Sequence, residues 1–316
     1  MSTKKLGNLE RVPLRKAWEH EASDFTPWLA EEENLNKLAD KLGLSELELV
    51  ATEHWVGDFK LDILCTDGED QVIIENQIEK TNHTHLGQLI AYAAGVGAKK
   101  VIWVAESFRP EHSAALQFLN ENTTEGLSFF AVEVELYQID DSAYAPNFLP
   151  VVKPNDWAKS GREQARAASS SSPTKVLQQK FWLALIDKLS SKAPQIRPQK
   201  ARMQHWLSNS IGRSGFGLHT TANTKDQRIG VELWIPGTEA KKHFANLQKF
   251  KNEIEAKLGF SLEWQELPDA LGSRIVSYYS DAPLEDESRW TEYMDWIIDR
   301  LVKMNQVLRP IVRSLP

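Results

Sequence analysis

The chain has 316 residues, is 41% hydrophobic and 26% charged, contains one cysteine and carries a formal net charge of −7. That length admits two domains with separate cores, the composition argues against wholesale disorder, and a lone Cys65 excludes an internal disulfide or a multi-cysteine zinc site. With no apolar leader in "MSTKKLGNLERVPLRK" and no apolar run of bilayer length, the sequence reads as that of a cytoplasmic protein without a membrane segment.

Thr26 followed by Pro27 makes an N-cap and first-turn pair. It predicts a helix through "WLAEEENLNKLADKL", with Leu35, Leu38 and Leu42 on one face and Gly43 as the stop. "ELELVATEHWV" and "DFKLDILCT" predict strands, and a turn at "DGED" leads into a third, "QVIIENQI". A helix over 83–94 follows, then the apolar central strand "KKVIWVAES", a helix over "PEHSAALQFLNENT" and a strand over "LSFFAVEVELYQI". "PNFLPVVKPNDW" should close the domain as a proline-punctuated extended segment. This order predicts an α/β domain over residues 1–157, a mixed sheet flanked by helices.

Residues 158–174, within "AKSGREQARAASSSSPTK", have linker composition. Residues 175–316 predict a smaller α+β domain with an antiparallel sheet and three helices, two strands of it around an Asn-Thr-Lys-Asp turn. Charge divides the same way: residues 1–157 hold 13 basic and 27 acidic residues, against 24 and 17 in residues 158–316. A basic half suggests a polyanionic partner, although a difference in solubility charge explains the split equally well.

Alternate residues of an extended strand share a face. Glu75 and Gln77 therefore point one way, with Ile73, while Ile74 and Ile78 point the other. Asp58, Lys60 and Asp62 share a face of the preceding strand, and the "DGED" hairpin brings Asp62 towards Glu75. Two carboxylates converging at a strand end make a hard-oxygen site suited to Mg²⁺ or Mn²⁺. His83 and His85, two apart at a helix start, diverge and suit capping or substrate contact better than ligation. Gly87 either permits close helix–strand approach or is incidental.

Asp62 followed by Glu75-Asn76-Gln77, and then by Gln88 and Tyr92 at i and i+4, resembles the PD-(D/E)XK nuclease superfamily with the Gln-x-x-x-Tyr helix of its RecB-type members. The resemblance covers about the first 150 residues. It implies a restriction-endonuclease-like fold, Mg²⁺-dependent (or Mn²⁺-dependent) hydrolysis of DNA, and a role in restriction, phage defence or repair. It also implies Asp62 and Glu75 as metal ligands, Gln77 in the place of the usual lysine, and Gln88 and Tyr92 orienting the site and touching substrate. Glu33 matches the superfamily's first-helix glutamate, although Glu31 lies better on the leucine face. Lys60 or Lys80 would supply the missing cation. A site with intact carboxylates and no ion binding would instead mark a degenerate module that binds DNA or a protein partner.

In the basic half, "SIGRSGFGLH" carries three glycines and Arg213 but matches neither the Walker nor the dinucleotide spacing, and reads as a glycine-loosened strand or turn. Lys241, Lys242, Lys249 and Lys251 read first as a solvated face and second as phosphate contacts, and Arg213, Lys241 and Lys249 are the candidate contacts to the DNA backbone. The chain's eleven tryptophans read as core or interface anchors. "RWTEYMDWIIDRLVKM" would equally serve a homodimer.

Overall fold

The computed structural model describes residues 7–123, 126–154 and 172–315. Contacts divide the chain into two compact units, Met1–Gln164 and Ala165–Pro316. The body of the serine-rich linker lies outside the described residues.

The first unit contains strands β1 (Leu9–Val12), β2 (Glu48–Val56), β3 (Phe59–Asp67), β4 (Asp70–Lys80), β5 (Lys100–Ser107), β6 (Ser128–Ile139) and β7 (Ala145–Val152). Its α-helices are α1 (Thr26–Leu29), α2 (Glu32–Leu42), α3 (His83–Val96) and α4 (Pro110–Asn122). The sheet runs β1-β6-β5-β4-β3-β2, with β7 also on β6. β4, β5 and β6 are parallel, and the other pairings are antiparallel. This is the mixed α/β sheet that the element order predicts. The proline-rich closing segment is a strand in its own right. Pro146 and Pro150 fit because β7 pairs on one side only, where a missing N–H costs no ladder bond.

β4 decides which residues meet. Val72, Ile74 and Ile78 pack with Leu35, Leu38 and Leu42 of α2, whereas Ile73 packs with Leu89 and Tyr92 of α3, Leu116 of α4 and Trp103 of β5. Strand alternation thus gives the sheet two separate cores, and Glu75 and Gln77 share the face of α3. The helix predicted from Thr26 is interrupted. Glu31 is extended (φ −63°, ψ 138°) between α1 and α2, and a π-helical turn, Glu21–Phe25, precedes α1. Asn34 Nδ2 holds the break by donating to the Trp28 carbonyl at 2.8 Å and to Glu31 Oε2 at 3.2 Å.

The second unit contains α5 (Pro173–Lys192), β8 (Trp206–Asn209), β9 (Gly217–Asn223), β10 (Arg228–Ile235), α6 (Ala240–Gln248), α7 (Lys251–Leu258), β11 (Glu263–Gln265), β12 (Ser273–Tyr279) and α8 (Trp290–Ser314). Its antiparallel sheet runs β11-β12-β10-β9-β8; β9 and β10 are the two strands predicted around the Asn-Thr-Lys-Asp turn, and β8 is a further strand before them. Pro173 and Thr174, assigned to the linker by composition, form the first turn of α5, capped by Ser172 accepting from the Lys175 N–H. Among the described residues no helix is long and apolar enough to cross a membrane.

Candidate metal centre

The pairing of β3 with β4 runs from Asp67↔Asp70 to Ile63↔Ile74 and stops there. At the next step side chains take over the bonding. Asp62 Oδ2 accepts the Asn76 N–H at 2.8 Å, and the Glu75 carboxylate accepts from the Asp62 backbone. Glu75 is 3% exposed, and its Oε2 is buried without a hydrogen-bond partner.

Burial pushes both carboxyls above their ordinary range. For Glu75 the charge on Asp62 is the next largest cause, followed by Glu21; for Asp62 the N–H of Asn76 opposes the rise, and Glu21 and Glu53 add to it. The structure thus brings together the predicted pair and two glutamates that the motif did not single out. Glu21, on the π-helical turn, accepts the Ile78 N–H at 2.9 Å through Oε2. Glu53 lies on β2 and has a left-handed φ of 52°, a conformation that costs a non-glycine residue about 1–3 kcal/mol and clusters at functional sites. It pairs with Lys60 at 3.5 Å, and that ammonium also lies 5.2 Å from the Trp55 ring centroid.

Glu33 does not join this group. It sits on the outer face of α2, its side chain 80% exposed, bound to Lys37 at 2.8 Å. Glu33 lies opposite the buried Leu35, Leu38 and Leu42 stripe of α2 and so faces solvent, whereas Glu21 is near enough to act on the charges of Asp62 and Glu75.

Gln88 and Tyr92 do join it. Tyr92 is buried, its hydroxyl donates to the Lys60 carbonyl at 3.0 Å, and Gln88 bonds to the same hydroxyl. The phenol is pushed up first by burial and then by Glu75 and Asp62, so it faces the acids. Gly87 is open on all sides, whereas a Cβ at Gly95 would fall 2.5 Å from Val56 Cγ1. Close approach of α3 to β2 therefore rests on Gly95. Asn82 caps α3 by accepting the His85 N–H at 3.1 Å, and His83 Nδ1 stands 2.8 Å from His112 Nε2. His85 lies within electrostatic reach of Glu21 and Glu79, while His83 is engaged with His112.

Gln77 is engaged at both ends. Its Oε1 accepts the Trp103 indole N–H at 3.0 Å, its Nε2 donates to the Lys80 carbonyl at 3.0 Å, and the residue is 2% exposed. It holds β4 against β5, and these two bonds orient its amide towards Trp103 and Lys80. In the second unit, Arg213 donates to the Val312 and Leu315 carbonyls at 2.9 and 2.6 Å, closing the end of α8. Lys241 Nζ bonds the carbonyls of Glu266, Leu267 and Gly272. Both predicted phosphate contacts are thus structural. Lys249 reaches Asn246 at 2.9 Å from an exposed position.

Among the described residues no group of three or more His, Cys, Asp or Glu is set closely enough to enclose a metal by itself. The donors nevertheless fit a hard divalent ion. Mg²⁺ is commonly held by one or two carboxylates, the rest of its shell being water and substrate phosphate. A buried pair of acids with one orphaned oxygen is the arrangement that such an ion relieves, by displacing the protons that burial favours.

The pH dependence follows from the direction of the shifts. Both carboxyls bind protons more tightly in the folded chain than in the unfolded one. Stability should therefore fall in metal-free buffer as pH rises out of the ordinary carboxylate range and through the raised values of Asp62, about 7, and Glu75, about 9. Urea melts should show this slope flattened in Glu75→Gln, and equal slopes would place the proton uptake elsewhere. Gln77→Ala should lower the unfolding free energy by about 1–3 kcal/mol, because it leaves the buried Trp103 N–H unpaired; an unchanged midpoint would mean that the indole finds another acceptor.

Residues 177–312 match the model of a family described as "Domain of unknown function (DUF4268)". No curated protein matches the chain. Among solved structures the chain is similar to the crystal structure of a repair endonuclease from Pyrococcus abyssi. Identity is 21% and the TM-score 0.24, over 33% of this chain and 46% of that one. The chain thus spans under half of that protein's length, and a likeness of this degree carries no argument about activity.

Proposed function

We propose that this protein is a metal-dependent nuclease that hydrolyses phosphodiester bonds of DNA, in restriction, phage defence or repair. Asp62 and Glu75 would hold Mg²⁺ or Mn²⁺. The observation that carries the reading is the buried acid pair itself, with Glu75 Oε2 lacking any partner at the point where β3 and β4 part. The bound ion would lower the pKa of a water and offset charge developing on phosphate.

The chain's own residues divide the remaining work. Tyr92, held by Gln88, ties the β3 backbone at Lys60 and so fixes the approach of Asp62. Glu21 adds negative charge beside both ligands. Lys60, half-exposed and shared with Glu53, is the cation best placed to meet a phosphate.

A second reading has its own support. Gln77 stands where the usual lysine would be, carries no positive charge, and has its amide held by Trp103 and Lys80. Under that reading the chain is a degenerate nuclease-fold module that binds DNA or a protein without cutting.

Incubation with plasmid, single-stranded DNA and RNA in Mg²⁺, Mn²⁺ or EDTA separates the two. Cleavage of DNA that EDTA abolishes is expected. Asp62→Asn and Glu75→Gln should each reduce the rate more than roughly a hundredfold, since even outer-shell partners of a metal commonly cost 10–100-fold, while circular dichroism stays unchanged. Variants that cut as fast as the parent would refute the metal-site assignment, and a parent that binds the ion without cutting any substrate would favour the second reading.

A further inference from the structure

The second unit's sheet has two unlike faces. Its apolar core draws on Leu207, Leu218, Val231, Leu233 and Ile275, all from one face. On the other face the register sets polar residues in a row across the strands: Ser208 of β8 opposite His219 of β9, and His219 opposite Glu232 of β10. Two residues along, Trp206, Thr221, Gly230 and Tyr278 make a second row.

Ser208 and Glu232 are 2% and 6% exposed. The buried Glu232 carboxylate is met by the Arg274 guanidinium, 3.6 Å from Oε2, whereas Ser208 Oγ and the Trp206 indole nitrogen have no hydrogen-bond partner. Such groups are ordinarily satisfied by protein, water or ligand. A hydrolytic triad does not account for them. His219 Nδ1 stands 3.9 Å from Glu232 Oε1, beyond hydrogen-bond reach, and Ser208 makes no bond to the imidazole.

Two guanidiniums stand at the rim. Arg228 lies 4.2 Å over the Tyr278 ring and is shared with Asp226 at 3.3 Å. Arg274 is held by Gln265 at 2.6 Å, with Nη1 3.6 Å from Glu232 Oε2. Trp206 and Tyr278 are half-buried, each leaving part of its ring to solvent. The face thus combines a buried carboxylate paired on one side with Arg274, unpartnered hydroxyl and indole donors, aromatic side chains and fixed positive charge, in the half of the chain with a basic excess. A carboxylate accepts from the amino group of cytosine, aromatic rings stack on bases, and guanidiniums take phosphates.

We propose that this sheet face binds single-stranded nucleic acid, with an unpaired base bearing an exocyclic amino group seated against Glu232 and the backbone phosphates on Arg228 and Arg274. The proposal rests on the nuclease reading only for the kind of polymer. The test is fluorescence anisotropy of labelled oligo-dC, oligo-dT and duplex DNA with the full chain in EDTA, where cutting is suppressed. Oligo-dC should bind more tightly than oligo-dT, and Glu232→Ala should abolish that preference. Tyr278→Ala and Arg274→Ala, both at partly exposed positions, should each weaken binding of either strand about tenfold or more. Equal binding of the two strands by the parent, binding confined to duplex, or affinities unmoved by Tyr278→Ala and Arg274→Ala would each overturn the proposal. Strand binding with this pattern but no cleavage in Mg²⁺ would leave the site standing and remove the nuclease reading; cleavage without this pattern would do the reverse.

Discussion

The first unit turns on the place where β3 and β4 stop pairing. A backbone N–H freed at such a point needs an acceptor, and here carboxylates supply it: Asn76 donates to Asp62, the Asp62 backbone to Glu75, and Ile78 to Glu21. Acids buried among β4, β3 and α3 would otherwise be costly. Their bonds to backbone make them tolerable while holding them close enough to repel one another. The same arrangement that closes the sheet therefore creates a demand for positive charge. The left-handed backbone at Glu53 and its pairing with Lys60 belong to this region as well.

α3 and β5 brace the arrangement from one side. Tyr92 reaches across to the Lys60 carbonyl, and Gly95 lets the helix come down on Val56. Trp103 donates its indole N–H to Gln77 and packs on His112 with ring centroids 5.4 Å apart. His112 Nδ1 in turn lies 2.7 Å from Thr81 Oγ1. This buried polar chain explains a glutamine at position 77. An indole donor requires an acceptor, which lysine cannot offer.

Much of this was legible in the sequence. Alternation along "VIIENQI" correctly divides Ile73, Glu75 and Gln77 from Ile74 and Ile78, and helical spacing places Gln88 and Tyr92 on the acid-facing side of α3. Glu53 had a signal that went unread. The two-residue turn at Gly57-Asp58, with Val56 opposite Phe59, puts position 53 across from position 62. Glu21 had none, because its place depends on a π-helical turn and on the break at Glu31, neither of which a 3.6-residue period encodes. Glu33 differs: helical spacing already sets it opposite the Leu35, Leu38 and Leu42 stripe, so its exposure was legible. Arg213 and Lys241 show the limit of reading charge by residue type: their donors go to backbone carbonyls that only the fold brings near. β1, four mostly exposed residues, lacks the alternation that would announce a strand.

The central claim is that Asp62 and Glu75 are held ready for a divalent cation. Isothermal titration of the full chain with Mn²⁺ near neutral pH, repeated in buffers of different ionisation enthalpy, tests it most directly. Burial pushes both carboxyls up, so binding should release protons, and the observed heat should change with the buffer. Asp62→Asn and Glu75→Gln should abolish both the binding and the release. Absence of Mn²⁺ binding by the parent, or binding that survives both substitutions, would contradict the account.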